Sequence, residues 1–513
     1  MPAPSGQGLA GVVQKRLEQR LDPIAAFAAL QLESRGERAL FEGKDGLTLL
    51  MQDAAVRAEC RGEQVTLRSL SANGESLLAA VQSEFAEWLV ASEAAVLTLR
   101  FPSNQSLCAD ERLLAASPLH ALRTLLKCLL PGCPDGFGAA LIGVVAFDYA
   151  ALGEDLPDNP EDPLGFPDYV FWVPETLLLI HESGRARVLC AAFPDEDPAL
   201  AARNYHDAVS RLARLDEACR KPMSAVTPAG RKAPSNETAD LSDEEYAQVV
   251  GRMKEEIAAG EIYQVVPSRT FRAPCHDPLR AYAALRALEP DSYRFFIDGD
   301  GFQLFGASPE TSVRIENGGG VPQVEVRPIA GTRPRGETLD EDNRIEVEMR
   351  LDEKELAEHM MLVDLARNDV ARICVPGSRR VARLLTVERY ARVMHLVSSV
   401  TGQLAPGFDA LHALEACLNM GTLTGAPKIR ATGLLRRTER TRRGPYGGAV
   451  GWLNAAGLMD TAVVIRSAFV RDGTAHVRAG AGIVHDSDPF SEAEETRRKA
   501  SALLSILGEG ASL

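Results

Sequence analysis

Two glutamates, one arginine, one histidine and a set of strand glycines are the residues here whose type and setting suit chemistry. Glu358 lies in KELAEHMMLVDLARND and Glu495 in SEAEETRRKA, both patterned as helices. Leu356, Met360, Val363 and Arg367 recur at helical spacing and leave Glu358 off their stripe. Glu492 and Lys499 share a face with Glu495. Each glutamate is either a solvated charge or, if the two converge, part of a site for Mg²⁺, which is held by one or two carboxylates together with water and substrate oxygens. Arg466 sits within the strand-like run AVVIRSA, on the face of Ala462, Val464 and Ala468. A buried guanidinium needs an anion, which an internal Asp or Glu or a ligand carboxylate can supply. Gly480 and Gly482 in RAGAGIV, and Gly447, Gly448 and Gly451 in YGGAVG, imply close approach to a strand face, by a neighbouring sheet or by a ligand. His395, in the apolar run RVMHLVSSV, is either a satisfied core residue or a general acid or base. GTLTGAPKIRA lacks the spacing of a phosphate loop, and no cluster has zinc-ligand spacing.

Strands and helices in mixed order must position these groups. Residues 1–220 alternate strand-like runs (LTLLMQ, VTLRSL, AVLTLRF, TLLLIHE) with helical ones. Residues 221–242, rich in Pro, Ser and charge, read as a linker. Residues 243–513 hold nearly all the suggestive motifs. They close with the strand-like runs GGAVGWLNA, DTAVVIRSAFV and TAHVRAGAGIV, whose punctuation at 454–457 and 471–473 predicts hairpins. A capping box at Ser491-x-x-Glu494 predicts the start of the last helix. No repeated βαβ order appears, so the class expected is α+β. The 513 residues, 45% apolar and 25% charged, suffice for two to four domains or one large two-lobed enzyme. A formal charge of −15, from 56 basic and 71 acidic residues, argues against a nucleic-acid partner. Nine scattered cysteines (Cys60, Cys108, Cys128, Cys133, Cys190, Cys219, Cys275, Cys374 and Cys417) without a CxxC pair predict a reducing, cytoplasmic setting. No leader is expected from MPAPSGQGLAGVVQKRLEQRLD, and no membrane span from the most apolar stretch, 139–152, which contains Asp148.

The motifs EIYQVVPSR (261–269), LFGASPE (304–310), RPIAGTRPRG (327–336), LAEHMMLVDLARND (356–369), VMHLVS (393–398), MGTLTGAPKIRA (420–431), YGGAVG (446–451), VIRSA (464–468), AGAGIV (479–484) and SEAEETRRKA (491–500) resemble anthranilate synthase component I, the large subunit among the chorismate-utilising enzymes. The likeness covers roughly 240–505 and continues more weakly through LQLES (30–34), SANGESLL (71–78) and LIGVVAFDY (141–149). It implies a two-lobed fold of packed β-sheets flanked by helices around a central cleft. It also implies that Glu358 and Glu495 hold Mg²⁺ against the ring carboxylate of chorismate. Arg466, Tyr446 and the backbone of Gly480, Ala481 and Gly482 would hold the pyruvyl carboxylate. Gly331, Thr332 and Lys499 would contact substrate, and Thr422 and Gln264 belong to the catalytic set. Glu310 is the candidate acid for the departing hydroxyl, and His395 the candidate for assisting pyruvate loss.

Relatives that add water at C2 carry lysine where Gln264 stands, and aminodeoxychorismate relatives carry a nucleophilic lysine where Ala330 stands. Neither residue here can do that chemistry, which leaves ammonia attacking C2 to give 2-amino-2-deoxyisochorismate and then anthranilate. The cysteine contexts, such as PGCPDG and EACLNMG, do not suit a glutaminase. A separate glutamine amidotransferase subunit (component II), in a hetero-oligomer such as a heterotetramer, is therefore implied. Alternatives are an enzyme that stops at the amino intermediate, as in phenazine-type pathways, and a non-catalytic paralogue. Family members are commonly inhibited by tryptophan at a site that includes LQLES, where Glu33 and Ser34 are in place. EPDSYRFF (289–296) departs from the usual NPSPYMFF, with Ser292 and Arg294 flanking Tyr293 in place of proline and methionine. Trp452 and Ala462 replace a nearby tyrosine and cysteine. Weak or absent tryptophan inhibition is expected, suited to a secondary pathway.

Overall fold

In the computed structural model, which describes residues 11–129, 136–159, 161–231, 236–390 and 393–507, the strands join one antiparallel network, apart from the short pair Gln264–Val265 and Gly425–Ala426. One arm runs from Ser268–Pro274 through Thr474–Gly480, Ser467–Arg471, Phe302–Ser308, Tyr293–Gly299 and Arg38–Glu42 to Leu47–Arg61. From there the ladder passes to Tyr169–His181, Ala140–Val145, Ala449–Asn454, Met459–Val463, Thr311–Gly318, Val321–Val326 and Val393–Gln403. Ile329–Pro334 and Arg380–Arg389 both pair with that last strand.

The two arms pack face to face over Phe41, Leu49, Ile142, Trp172, Phe295, Leu304, Val464 and Phe469. Helices cover both outer faces. Pro23–Ala29, Pro198–Arg220, Pro278–Leu288 and Pro489–Leu507 lie over one. Ala72–Val81, Leu119–Cys128, Glu353–Ala371 and Ala410–Cys417 lie over the other. The result is an α+β sandwich of helix, sheet, sheet and helix. A strand covered on both faces should read as a continuous apolar run. Ala140–Val145 (ALIGVV) does, and every residue in it is buried.

Residues 221–242 do fall between the helices Pro198–Arg220 and Asp243–Ala258. They do not separate two cores, because Arg38–Glu42 pairs with Tyr293–Gly299 and Ala140–Val145 with Ala449–Asn454. The predicted hairpins form. Asp472 and Gly473, at φ 50° and 71°, make the two-residue turn that matches strand twist.

Four local expectations are corrected. DTAVVIRSAFV is two strands, Met459–Val463 and Ser467–Arg471, because the chain crosses there from one layer to the other. Arg466 is therefore not mid-strand; it sits in the break at φ 47°, a left-handed conformation unusual for a non-glycine. Gly482 lies just past the strand Thr474–Gly480 rather than inside it. The last helix starts at Pro489 under an Asp488 cap, whose Oδ1 accepts from Ser491 N at 2.9 Å, so Ser491 lies within the first turn. The buried face of Glu353–Ala371 runs through His359, Leu362, Val363, Ala366 and Val370 and leaves Met360 exposed. Glu358, one turn before Leu362, borders that face. Among the described residues no helix is long and apolar enough to cross a membrane. The eight described cysteines are free thiols; Cys133 lies outside the described residues.

Candidate active site

Three tight junctions bring distant motifs together. At the first, Gln264 lies on a two-residue strand paired with Gly425–Ala426. Its Nε2 donates to Glu358 Oε1 at 2.6 Å. A side chain at Gly482 would fill this corner, since a Cβ there would lie 3.0 Å from Gln264 Nε2 and 3.6 Å from Glu358 Oε1. Ala481, between the two glycines, turns its methyl into the core. Burial, reinforced by Glu355, raises the Glu358 carboxyl above its ordinary range against the Gln264 amide, Lys499 and Lys354. Among the described residues no cation lies within ion-pair distance of it, so it is a carboxylate in want of a positive partner.

At the second junction, Lys499 Nζ donates to Gly480 O at 3.1 Å and lies 3.2 Å from Glu495 Oε1. Arg498 holds the other Glu495 oxygen at 2.8 Å. Lys499 and Arg498 keep Glu495 ionised against its burial. Tyr446 abuts the same backbone: its hydroxyl would lie 3.2 Å from a Cβ at Gly480. Small residues at 480 and 482 thus keep peptide edges bare between Tyr446, Lys499, Gln264 and Glu358.

The third junction holds the acid and base candidates. Glu310 follows the strand Phe302–Ser308 and is buried. Thr422 Oγ1 donates to its Oε1 at 2.8 Å. Burial pushes this carboxyl up to about 7, against Thr422 and the charges of Lys44, Arg466 and Lys499. Opposite, Gly331 is an extra residue in the ladder between Ile329–Pro334 and Val393–Gln403, at φ 61°. The bulge turns Gly331 O toward His395 Nδ1 at 3.0 Å, with Thr332 Oγ1 at 3.1 Å. A proton on Nδ1 satisfies that carbonyl and leaves Nε2 as an acceptor, buried and without a partner among the described residues. Burial pushes the imidazole down to about 4, so it is neutral. Arg466 bears electrostatically on both Glu310 and His395. Its ion pair with Glu289 is loose, at 3.5 Å, with 29% of the side chain exposed.

The residues grouped as a tryptophan-like site divide. Tyr293, Arg294, Trp452 and Ala462 surround a cavity with about 20 Å³ of room, space for one water-sized occupant. Arg294 donates to Glu42 at 3.2 Å and to Pro290 O at 3.0 Å. Ser292 is buried, but neither it nor Glu33 nor Ser34 lines the cavity. Glu33 is exposed, and Ser34 Oγ donates to Gln52 O at 3.1 Å. One residue at the site has no counterpart among the sequence candidates. Lys44, in the turn of FEGKDGL, reaches the segment that carries Glu310, where a charged turn reads as surface.

Residues 76–505 match the chorismate binding enzyme family. Anthranilate synthase component 1 of Vibrio cholerae is 45% identical over 97% of this chain and 96% of its own length. The chain belongs to the anthranilate synthase component I family. A member from Pseudomonas aeruginosa, named as the pyocyanine-specific component 1, is 48% identical over 88% of this chain and 86% of its own. The solved component I of Streptococcus pneumoniae superposes with a TM-score of 0.70 at 29% identity, covering 89% of this chain and 92% of that one. The menaquinone-specific isochorismate synthase of Escherichia coli shares the fold, with a TM-score of 0.68 at 17% identity. The chain is thus a chorismate-binding enzyme of the anthranilate synthase component I family.

Proposed function

We propose that this enzyme converts chorismate and ammonia to anthranilate and pyruvate through 2-amino-2-deoxyisochorismate. The observation that carries the choice of ammonia is Gln264. It stands where water-adding relatives place a lysine base, and its amide is committed to Glu358 at 2.6 Å. An amide cannot deprotonate water, whereas ammonia arrives with its lone pair free. Ala330, beside the Gly331 bulge, has no nucleophile with which to attack C2.

In this reading Arg466, Tyr446 and the bare peptides of Gly480, Ala481 and Gly482 bind the pyruvyl carboxylate. Glu358 and Glu495 are the Mg²⁺ ligands, with Lys499 beside them. What supports the ion is Glu358, a part-buried carboxylate with no cation within ion-pair distance among the described residues, as a hard divalent ion is held by one or two carboxylates with water and substrate oxygens. Mg²⁺, when bound, supplies positive charge at the ring carboxylate. As ammonia bonds to C2 the ring double bonds shift and the C4–O bond breaks. Glu310 passes its proton to that oxygen, which leaves as water, and Thr422 fixes the carboxyl. His395 Nε2 then takes the proton from C2 of the amino intermediate as the enolpyruvyl C–O bond breaks. The ring becomes aromatic, and the enolate that leaves takes a proton at its methylene carbon, returned from the His395 imidazolium, to depart as pyruvate. The partnerless Nε2 favours this complete reaction over a product halted at the amino intermediate.

Ammonia would come from glutamine through a partner amidotransferase in a cytoplasmic hetero-oligomer. The small size of the cavity beside Arg294, together with the pyocyanine-specific relative, supports a tryptophan-insensitive enzyme serving a secondary pathway. The test is purified chain with chorismate, Mg²⁺ and ammonium at alkaline pH, read by anthranilate fluorescence. Turnover is expected with ammonium and not with glutamine alone. A folded chain that forms no product would overturn the reading.

A further inference from the structure

We propose that Lys44, on the hairpin turn between the strands Arg38–Glu42 and Leu47–Arg61, is a positioning residue for the catalytic carboxyl of Glu310. The proposal rests on the acid role of Glu310 given above.

The peptide joining Pro309 to Glu310 falls between two strands, Phe302–Ser308 and Thr311–Gly318. Neither of its polar groups is held by a strand ladder. Its N–H goes to Ser308 Oγ at 3.3 Å, and its C=O, that of Pro309, receives Lys44 Nζ at 2.5 Å. Two side chains therefore fix the plane of the peptide from which Glu310 projects, and one of them comes from a segment 265 residues distant in the chain. With Lys44 removed, this peptide can rotate and carry the carboxyl off Thr422. A misplacement of about 1 Å in a reacting group can cost about 10²-fold in rate.

The amine is built into its place. It lies 5.4 Å from the ring centres of both Tyr293 and Tyr390, between two faces that favour a cation. Among the described residues it makes no ion pair within 4.0 Å, so charge neutralisation does not account for its position. Burial and the nearby Arg327 push its amine down to about 8 against the attraction of Glu388, Asp460 and Glu310, so it carries its charge up to neutral pH. Glu310 in turn feels Lys44, Arg466 and Lys499 as cations and Thr422 as a donor. Lys44 thus also lowers the cost of ionising Glu310.

The experiment compares wild type, Lys44→Met, Lys44→Arg, Glu310→Gln and the double variant Lys44→Met/Glu310→Gln in the chorismate–ammonium assay with Mg²⁺. Lys44→Met should lower kcat about tenfold or more with KM for chorismate little changed, and Lys44→Arg should recover most of it. The double variant should be no slower than Glu310→Gln alone, because both changes act on one group. The pH limb that reports Glu310 should move upward in Lys44→Met and return in Lys44→Arg, since a nearby cation favours the ionised carboxyl. Thermal melts run in parallel; if Lys44→Met does not fold, Lys44→Gln takes its place in the cycle. An unchanged kcat in the uncharged variant, or losses that multiply in the double variant, would overturn the proposal. An inactive wild type would overturn the reaction itself and is read separately.

Discussion

Burial moves two protons in opposite directions at this site. Glu310 is pushed up to about 7 and His395 down to about 4, both chiefly by desolvation. Near neutral pH the carboxyl can hold a proton while the imidazole has none, which is the pairing a leaving hydroxyl and a C2 proton require. His395→Ala should therefore slow pyruvate loss by about 10²-fold or more while ammonia addition continues. The amino intermediate should accumulate, as chromatography would show. Equal slowing of both steps without an intermediate would remove His395 from the role. In the proposed reading, Glu358→Gln and Glu495→Gln each remove a Mg²⁺ ligand charge at the edge of a helix, not a core contact. Each should lose activity by about 10²-fold or more at unchanged melting temperature. Near-wild-type turnover at low Mg²⁺ in either would contradict the metal assignment.

At the scale of elements, the strand around His395 and the helices around Glu358 and Glu495 were legible because their apolar spacing is local. The break at Arg466 was not. AVVIRSA reads as one strand, and the crossing is set by partners elsewhere: Met459–Val463 pairs with Thr311–Gly318, and Ser467–Arg471 with Phe302–Ser308. The Gly331 bulge was hidden for the same reason, since an extra residue is defined only against the partner strand. The role of Lys44 was hidden because a turn's sequence does not say what the turn will meet. Arg294 stands where the family pattern has methionine, a departure visible in the sequence. Its setting adds that Glu42 also accepts from Tyr282 at 2.7 Å and Arg286 at 2.9 Å, so the guanidinium belongs to a filled charge network. A tryptophan titration of the assay should therefore show no half-inhibition in the micromolar range. Arg294→Met with Ser292→Pro should restore part of the sensitivity. Micromolar inhibition of the wild type would contradict this account.

At the scale of the whole molecule, the helix–sheet–sheet–helix order follows from strands apolar on both faces, and the family motifs already imply it. The sharing of one ladder by the two halves of the chain does not follow from any motif. It requires the pairings of Arg38–Glu42 with Tyr293–Gly299 and of Ala140–Val145 with Ala449–Asn454. Residues 243–513 made alone would expose those strand edges and the apolar surface beneath them. They should be insoluble alone and soluble when co-expressed with residues 1–242. A well-folded isolated half, with a cooperative melt, would refute the shared core. Arg466, Lys499 and Lys44 bear on Glu310 as local cations within an acidic chain. The central claim, that these groups carry chorismate and ammonia through to the aromatic product, is tested most directly by the stoichiometry of one incubation. Wild-type chain with chorismate, Mg²⁺ and ammonium should release pyruvate and anthranilate in equal amounts as chorismate is consumed. Consumption of chorismate with 2-amino-2-deoxyisochorismate or isochorismate as the final product, and no pyruvate, would contradict it.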